Sequence, residues 1–353
     1  MVIGGALDPT GANLVDCWLM KLDGDGNPQW FDTFGGSQSD IAGTVIQTDD
    51  GGYAVAGHAY SPDTKLADGW LLKVDSQGNE QWQENYGADD QDDLFNSVQQ
   101  TGDGGYMLAG SSTTPGGDAE GWIVKLSPEG HIKWQKTFGM GGHDFVNAAK
   151  QTPDGGFTVV GETISLDSGL KDGWIVRLNA EGNKQWSKVF GGESDEEIND
   201  VWLTDDGGYV VAGSTESFGS GGEDLWVVKL DSTGETEWQI TYGGEEDDVA
   251  YSVQQTADGG YIVAGSTSSY GTNGDSWIIK LDAEGNVQWH KVFGEDYYDM
   301  VTSIRQTDDG GYIASGSSYL YGPEGEDLGR AFWVAKFDPE GNLLWYRTKW
   351  QAQ

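Results

Sequence analysis

Six acids recur at one place in this chain of 353 residues: Asp40, Asp93, Asp144, Glu196, Asp248 and Asp299 each stand five or six residues after a Phe-Gly or Tyr-Gly pair. Carboxylates gathered in this way raise one another's pKa or hold a hard cation such as Ca2+. Kept apart, each would cap its own loop by accepting backbone N–H bonds. A second series, Asp16, Asp68, Glu120, Asp172, Asp224 and Asp275, precedes a Trp by two residues, and Ala331 breaks the pattern. The segments leading to it vary most in length and composition, as Ser111–Gly117 and Tyr319–Gly325 show. They carry Tyr60, Phe218, Tyr270, Tyr319 and Tyr321, rings able to stack on sugars or on protein side chains.

Other chemistry is thinly represented. Asp23-Gly24-Asp25-Gly26-Asn27 opens like a calcium loop, but Pro28 stands where that loop needs Gly and no Glu follows at the twelfth position. Its equivalents, Asp75-Ser76-Gln77-Gly78-Asn79 and Asp338-Pro339-Glu340-Gly341-Asn342, read as hairpin turns. His58, His131, His143 and His290 occupy unrelated positions in different units, which argues against a shared metal site. Neither His-Glu-x-x-His, Gly-x-Ser-x-Gly nor a phosphate-binding Gly-Lys-[Ser/Thr] loop occurs. Carboxylates are so numerous that a glycosidase-like pair could be drawn anywhere, and that freedom removes its value as a signal.

The elements that must position these groups are written into a repeat. Asp-Gly-Gly recurs with its glycine pair at Gly51-Gly52, Gly104-Gly105, Gly155-Gly156, Gly207-Gly208, Gly259-Gly260 and Gly310-Gly311, a period of 51 to 53 residues. Such self-similarity means stacked or circular supersecondary units. Four strands are expected per unit, here lettered a (Ser252 to Thr256), b (Tyr261 to Thr267), c (Trp277 to Leu281) and d (Val287 to Phe293), since their apolar residues alternate or form short β-branched runs. The Asp-Gly-Gly and Asp282-Ala283-Glu284-Gly285-Asn286 segments supply hairpin chemistry. Strand c carries Trp18, Trp70, Trp122, Trp174, Trp226, Trp277 and Trp333, and strand d carries Trp30, Trp82, Trp134, Trp186, Trp238, Trp289 and Trp345. Both series count seven, so the expected fold is all-β, a seven-bladed β-propeller of four-stranded antiparallel blades in a single domain, 1–353. The blade units run approximately 1–35, 36–87, 88–139, 140–191, 192–243, 244–294 and 295–353. In the propeller the acid series would start the inner strands, near the channel mouth.

Met1-Val2-Ile3-Gly4-Gly5 aligns with strand b, so the first blade lacks its innermost strand. Arg347–Gln353 is too short to cross over and replace it. A longer chain or a neighbouring molecule is expected to supply the missing strand, because an open edge leaves a row of unpaired backbone groups.

Composition narrows the partners. With 58 acidic and 19 basic residues the formal net charge is −39, which repels nucleic acid and anionic lipid and attracts cations or basic surfaces. A salty or calcium-rich medium would screen the self-repulsion. Cys17, the single cysteine, replaces small or apolar residues before a Trp and reads as packing. No apolar run is long enough for a transmembrane helix, and Met1–Ala6 lacks a signal peptide's basic and apolar regions.

The units Asp-Gly-Gly-Tyr-x-Val-Ala-Gly-Ser-Thr, Asp-x-Trp-Ile-Val-Lys-Leu-Asp and Gly-Asn-x-x-Trp-x-Lys-x-Phe-Gly-Gly resemble the propeller repeats of bacterial and archaeal secreted and cell-surface proteins. The resemblance covers the whole chain and implies an extracellular or cell-surface location beside adhesive modules. The Leu-Asp-x-x-Gly-Asn-x-x-Trp portion is also similar to the tryptophan-docking motif of quinoprotein propellers, which implies related blade packing. That family's cofactor site would want an Arg or Lys, a calcium ligand set and a Trp floor. The basic residues here are mostly Lys on strands c and d, so the cofactor is not implied. The expected function is a non-enzymatic interaction or structural module, cation-stabilised and self-associating, whose partners are proteins, polysaccharides or copies of itself. A carbohydrate-binding or carbohydrate-cleaving propeller is the alternative, and a quinoprotein-like oxidoreductase ranks below both.

Overall fold

The computed structural model describes residues 2–7, 15–36, 38–88, 90–114, 116–139, 141–165, 169–272, 274–294, 298–321 and 327–348. Their regular structure is all β-strand, in seven antiparallel sheets. The first sheet has three strands, β1 (Val2–Leu7), β2 (Asp16–Leu22) and β3 (Pro28–Phe34). The second has β4 (Asp40–Gln47), β5 (Tyr53–Tyr60), β6 (Ala67–Val74) and β7 (Glu80–Tyr86), and the third β8 (Asp93–Gln100), β9 (Tyr106–Thr113), β10 (Ala119–Leu126) and β11 (Ile132–Phe138). The fourth comprises β12 (Gly142–Gln151), β13 (Phe157–Ser165), β14 (Lys171–Leu178) and β15 (Lys184–Phe190). The fifth comprises β16 (Glu196–Leu203), β17 (Tyr209–Thr215), β18 (Asp224–Leu230) and β19 (Thr236–Tyr242). The sixth holds β20 (Asp248–Gln255), β21 (Tyr261–Thr267), β22 (Asp275–Leu281) and β23 (Val287–Phe293), and the seventh β24 (Asp299–Gln306), β25 (Tyr312–Tyr321), β26 (Asp327–Phe337) and β27 (Leu343–Thr348). This is a seven-bladed β-propeller whose first blade has b, c and d but no strand a. Contacts cluster into two compact units, Met1–Leu170 with Ile175–Ser187, and Lys171–Trp174 with Lys188–Gln351. The same packing rules operate inside each.

The Asp-Gly-Gly turn shows how the sequence specifies the local structure. Thr256 N donates to Gly260 O at 2.9 Å, and Asp258 Oδ1 accepts from Gly260 N at 3.1 Å and from Thr256 Oγ1 at 2.5 Å. Gly259 is there for its φ of +82°, which other residues rarely adopt. Gly260 is there for space, since a Cβ would lie 2.6 Å from Lys280 Nζ and 2.2 Å from Leu281 O.

Strands b and d have the expected bounds, but a begins at Asp248 rather than Ser252, and c at Asp275 rather than Trp277. A bulge explains the first difference. Ala250 pairs with Gly265 and Ser252 with Ala264, leaving Tyr251 as an extra residue that breaks the two-residue alternation. The same register shift recurs in the second to seventh blades at Gly43, Asn96, Asn147, Asn199 and Thr302.

The tryptophans pack blade on blade. All seven of strand c are buried. Five strand-d indoles dock edge-on against the ring that begins strand b of the following blade: Trp30 on Tyr53 at 5.9 Å, Trp82 on Tyr106 at 6.0 Å, Trp134 on Phe157 at 5.8 Å, Trp238 on Tyr261 at 5.8 Å and Trp289 on Tyr312 at 5.7 Å. The glycine of the next c–d turn lies beneath the indole, so that a Cβ at Gly285 would sit 3.3 Å from the Trp238 ring and one at Gly341 2.7 Å from that of Trp289. Glutamines tie successive blades as well. Gln100 Oε1 accepts from Asp49 N at 2.8 Å, Gln151 from Gly102 N at 2.9 Å, Gln255 from Asp205 N at 2.8 Å and Gln306 from Ala257 N at 2.8 Å. The a–b turns of the second, third, fifth and sixth blades are therefore fastened by the strand a that follows them, whereas β16, which follows the turn of the fourth blade, carries Leu203 at the equivalent place.

Candidate functional site

All six acids of the first series are buried, and all but Asp144 begin a strand a. They accept from the loop that leads into them. Asp40 Oδ2 takes Gly36 N at 2.6 Å, Asp93 Oδ2 takes Ala88 N at 2.9 Å, and Asp248 Oδ2 takes Gly244 N at 3.0 Å. Glu196 takes Gly192 N at 2.7 Å on Oε2, and Thr215 Oγ1 at 2.9 Å and Ser217 N at 3.1 Å on Oε1. Asp299 accepts from the Ser318 hydroxyl. Among the described residues no group of three or more His, Cys, Asp or Glu side chains is placed to hold a metal ion.

The structure brings together one acid from each series. A Cβ on Gly35 would lie 2.7 Å from Asp40 Oδ2 and 2.9 Å from Asp16 Oδ1; on Gly191, 1.6 Å from Asp172 Oδ1 and 3.1 Å from Glu196 Oε2. On Gly243 it would lie 2.1 Å from Asp224 Oδ1 and 2.6 Å from Asp248 Oδ2; on Gly294, 2.2 Å from Asp275 Oδ1 and 2.7 Å from Asp299 Oδ2. The Gly that follows the aromatic at the end of strand d is thus the floor on which two carboxylates meet, and any side chain there would displace them. Burial, with Asp16 adding, pushes the Asp40 carboxyl above its ordinary value against the Gly36 N–H. Burial and then Glu196 push Asp172 up. Read as a sequence, the chain does not bring the two series together; the one signal it holds is their near-constant separation of 24 or 25 residues. Cys17 lies buried near the first pair, and burial, then Asp40 and Asp16, raises its thiol far above the ordinary range.

Strand c carries a second recurring ion pair that the sequence reading missed. Lys73 Nζ meets Asp50 Oδ2 at 2.9 Å, Lys125 meets Asp103 at 2.9 Å, Lys229 meets Asp206 at 2.8 Å, Lys280 meets Asp258 at 2.9 Å and Lys336 meets Asp309 at 2.8 Å. Arg177 plays the same part with Asp154 at 2.6 Å. The cations are buried under the Asp-Gly-Gly turns while their acids stay about half exposed. The Thr48 hydroxyl and then Lys73 draw Asp50 down to about 2. At Asp206 burial opposes the shift, but Lys229, Thr204 and the Gly208 N–H together outweigh it and also bring it to about 2. A carboxyl depressed in the folded chain stabilises it above the unfolded value of 3.8, and that contribution is lost as pH falls through the native value. A thermal-melt series should therefore show these pairs intact to about pH 4 and lost towards about pH 2. Solvent screening of the exposed acids keeps each contribution small.

Of the aromatics expected in the b–c loops, Phe218 and Tyr270 lie between strands, whereas Tyr60 ends β5 and Tyr319 and Tyr321 belong to β25, because the b–c pairing runs further in those blades. Tyr60 is 40% exposed and stands edge-on to His58 at 5.5 Å; Phe218 is 36% exposed and lies 6.0 Å from Trp226. Tyr270, 40% exposed, packs 5.3 Å from Trp277 and donates from its hydroxyl to Gly243 O at 2.9 Å. Tyr319 stands edge-on to Tyr298 at 6.1 Å under the Arg330 guanidinium at 4.3 Å. Tyr321 ends β25, and its side chain lies outside the described residues, as do Gly322–Gly325 and Trp350. Asp23 closes an ordinary hairpin turn by accepting from Asp25 N at 2.9 Å and Asn27 N at 2.8 Å. His143 Nδ1 accepts from Ala119 N at 3.1 Å and His290 Nδ1 from Trp277 Nε1 at 3.2 Å. No helix among the described residues is long and apolar enough to cross a membrane.

Among solved structures, puromycin hydrolase is similar over 98% of this chain and 51% of its own, at 13% identity and a TM-score of 0.57. Sqt1 from Chaetomium thermophilum is similar over 86% of this chain and 71% of its own, at 14% identity and a TM-score of 0.50. The β-propeller domain of the Trilobed protease from Pyrococcus furiosus is similar over 87% and 92%, at 9% identity and a TM-score of 0.47. The chain spans about half the length of puromycin hydrolase. At these identities the likeness is one of fold. No protein-family model matches the chain, and no curated protein sequence matches it.

Proposed function

We propose that this chain is a non-enzymatic interaction or structural propeller, acting outside the cell or at its surface, that takes basic protein surfaces as partners. The observation that supports this reading is the use made of its cations. Six buried strand-c cations are bound to turn acids, so 6 of the 19 basic residues are spent internally, while most of the 58 acids remain to set the outward field. Divalent cations act on such a surface as counterions, and melting at low ionic strength should rise with Ca2+, an effect that fades at high salt. A second reading, carbohydrate binding or cleavage, draws support from the exposed rings of Tyr60, Phe218 and Tyr270.

One comparison separates the two. Binding to a set of basic polypeptides that weakens steeply with salt, together with a silent glycan array, is expected; salt-insensitive capture of a glycan would replace our reading with the second. We further propose self-association through β1. At the edge where the six other blades pair strand a, β1 can take a strand of like sequence by backbone pairing. Size-exclusion at rising concentration should show a growing larger species, and a strictly constant elution volume would remove this part of the proposal.

A further inference from the structure

Lys21 departs from its series. In the second to seventh blades the strand-c cation is bound to the acid of its own Asp-Gly-Gly turn, at 2.6–2.9 Å. Lys21 holds the same place, since it pairs with Val2 of β1 as Lys280 pairs with Ile262 of β21. Among the described residues it makes no ion pair. Its ammonium donates instead to Ser76 O of the second blade at 3.2 Å and stands 5.7 Å from the centre of the Tyr53 ring. Lys21 is half-buried there, and a cation drawn out of water without a counter-charge favours the arrival of a carboxylate.

Gly5 of β1 is a second feature that a neighbouring strand explains. It pairs with Trp18 as Gly57, Gly110, Gly213, Gly265 and Gly316 pair with their own strand-c tryptophans. In those five blades the bulged strand a brings a carbonyl oxygen within 1.8–2.0 Å of where a Cβ would stand, so only glycine fits. Glycine inside a strand otherwise weakens it. β1 is the edge of its sheet, with β2 as its one strand partner among the described residues. The edge thus has two fittings of different kinds: room for a bulged strand, and a cation where the other blades place the acid that follows strand a by three residues.

We infer that β1 and Lys21 form a docking site for an extended, acid-ended segment of a partner polypeptide, which pairs with β1 as strand a does elsewhere and sets a carboxylate on the Lys21 ammonium. This rests on the reading of β1 as a pairing edge and names what that edge selects. The segment has the pattern of Val249–Asp258: a bulge early in the strand, Ser-Val after it, and an Asp three residues past the last paired residue. Backbone pairing supplies affinity, and the acid fixes register, because a slip of two residues would carry it about 7 Å along the strand from Lys21. A second copy of this chain is the poorer occupant. Its strands a are already paired with strands b, which leaves β1 to meet β1, an unbulged strand that does not use the room at Gly5.

The probe is an amidated, labelled synthetic peptide of residues 249–260, titrated with the full chain in about 0.15 M NaCl, where screening over about 8 Å removes most of the long-range repulsion between acidic partners. Saturable one-to-one binding is expected. Asp258→Asn in the peptide should weaken it about tenfold, and Lys21→Met in the chain should bind the two peptides alike. Gln254→Pro in the peptide, which breaks strand pairing, and Gly5→Ala in the chain, whose Cβ closes the room for the bulge, should each weaken binding about tenfold or more. No binding up to about 1 mM peptide would overturn the inference. So would equal affinity of the parent chain for the Asp258 and Asp258→Asn peptides, a comparison that needs no variant protein to fold. Full-strength binding of the Gln254→Pro peptide, or a Lys21→Met chain that still prefers Asp258, would overturn it as well. Self-association is scored apart, by the elution of the chain alone: a constant volume with peptide binding intact removes self-association and leaves this inference standing.

Discussion

Alanine at position 265 should unfold the sixth blade, although Gly265 lies mid-strand and its backbone is ordinary. The added Cβ would stand 1.8 Å from Val249 O, 2.8 Å from Val249 C and 2.9 Å from the Cα of Ala250, all backbone atoms that cannot rotate away. The bulge at Tyr251 brings them there, by folding strand a towards strand b where Ala250 and Gly265 pair. Relief would require the bulge to be undone, which would shift the register of Ser252 through Gln255 and turn buried Val253 towards the other face. We expect a loss of about 3–5 kcal/mol in urea unfolding. Gly57, Gly110, Gly213 and Gly316, with carbonyl oxygens 1.9, 1.9, 1.8 and 2.0 Å from the same position, should behave alike. Gly259→Ala is the contrast. It meets nothing within 4 Å and is disfavoured only by its φ of +82°, so it should cost about 1–2 kcal/mol. Similar costs at 265 and 259 would mean that the bulge yields easily.

The second large effect concerns the cation under the turn. Asp258→Ala leaves the Lys280 ammonium, whose side chain is 3% exposed, with Leu281 O as its remaining near partner, and also removes the acceptor for Gly260 N and Thr256 Oγ1. Breaking a buried pair from one side typically costs about 3–5 kcal/mol, because the surviving charge is stranded. Lys280→Met takes away the charge and keeps the length, leaving a half-exposed acid that water can solvate. Its cost should be under about 1.5 kcal/mol. Guanidinium unfolding of the two single variants and the double variant checks the asymmetry, and Lys280→Met should rescue part of Asp258→Ala. Equal single losses and no rescue would show that the turn, rather than the buried charge, sets the stability.

Much of the architecture was legible because repetition multiplied weak signals. Strands b and d were readable at their observed ends, since each is bounded by a turn whose Asp and Gly have defined roles and each alternates cleanly. Strand a was read four residues short because the bulge at Tyr251 put its first half out of phase, and nothing in the residue types there announces an extra residue. The two acid series were visible, but their meeting was not. A separation of 24 residues fixes no distance until one strand c and the next strand a are known to adjoin a common glycine. The strand-c lysines were passed over for a related reason. Lys beside Leu at a strand end resembles a solvated edge, and only the missing side chain of the second turn glycine shows where its ammonium goes.

The glutamine fastenings have a consequence on a longer scale. Gln100, Gln151, Gln255 and Gln306 each reach back to the turn of the unit before, and the strand-d indoles reach forward to the unit after. Four joints are thus specified by residues that stand at the same place in successive copies, Leu203 being the exception among the strands a that follow a turn. A gene segment of 51 to 53 codons could be duplicated or lost in frame, and the new junction would already be written on both sides. Unequal recombination is then tolerated at the level of the joint, and lineages descending from this gene should differ by whole multiples of one module more often than by lengths in between.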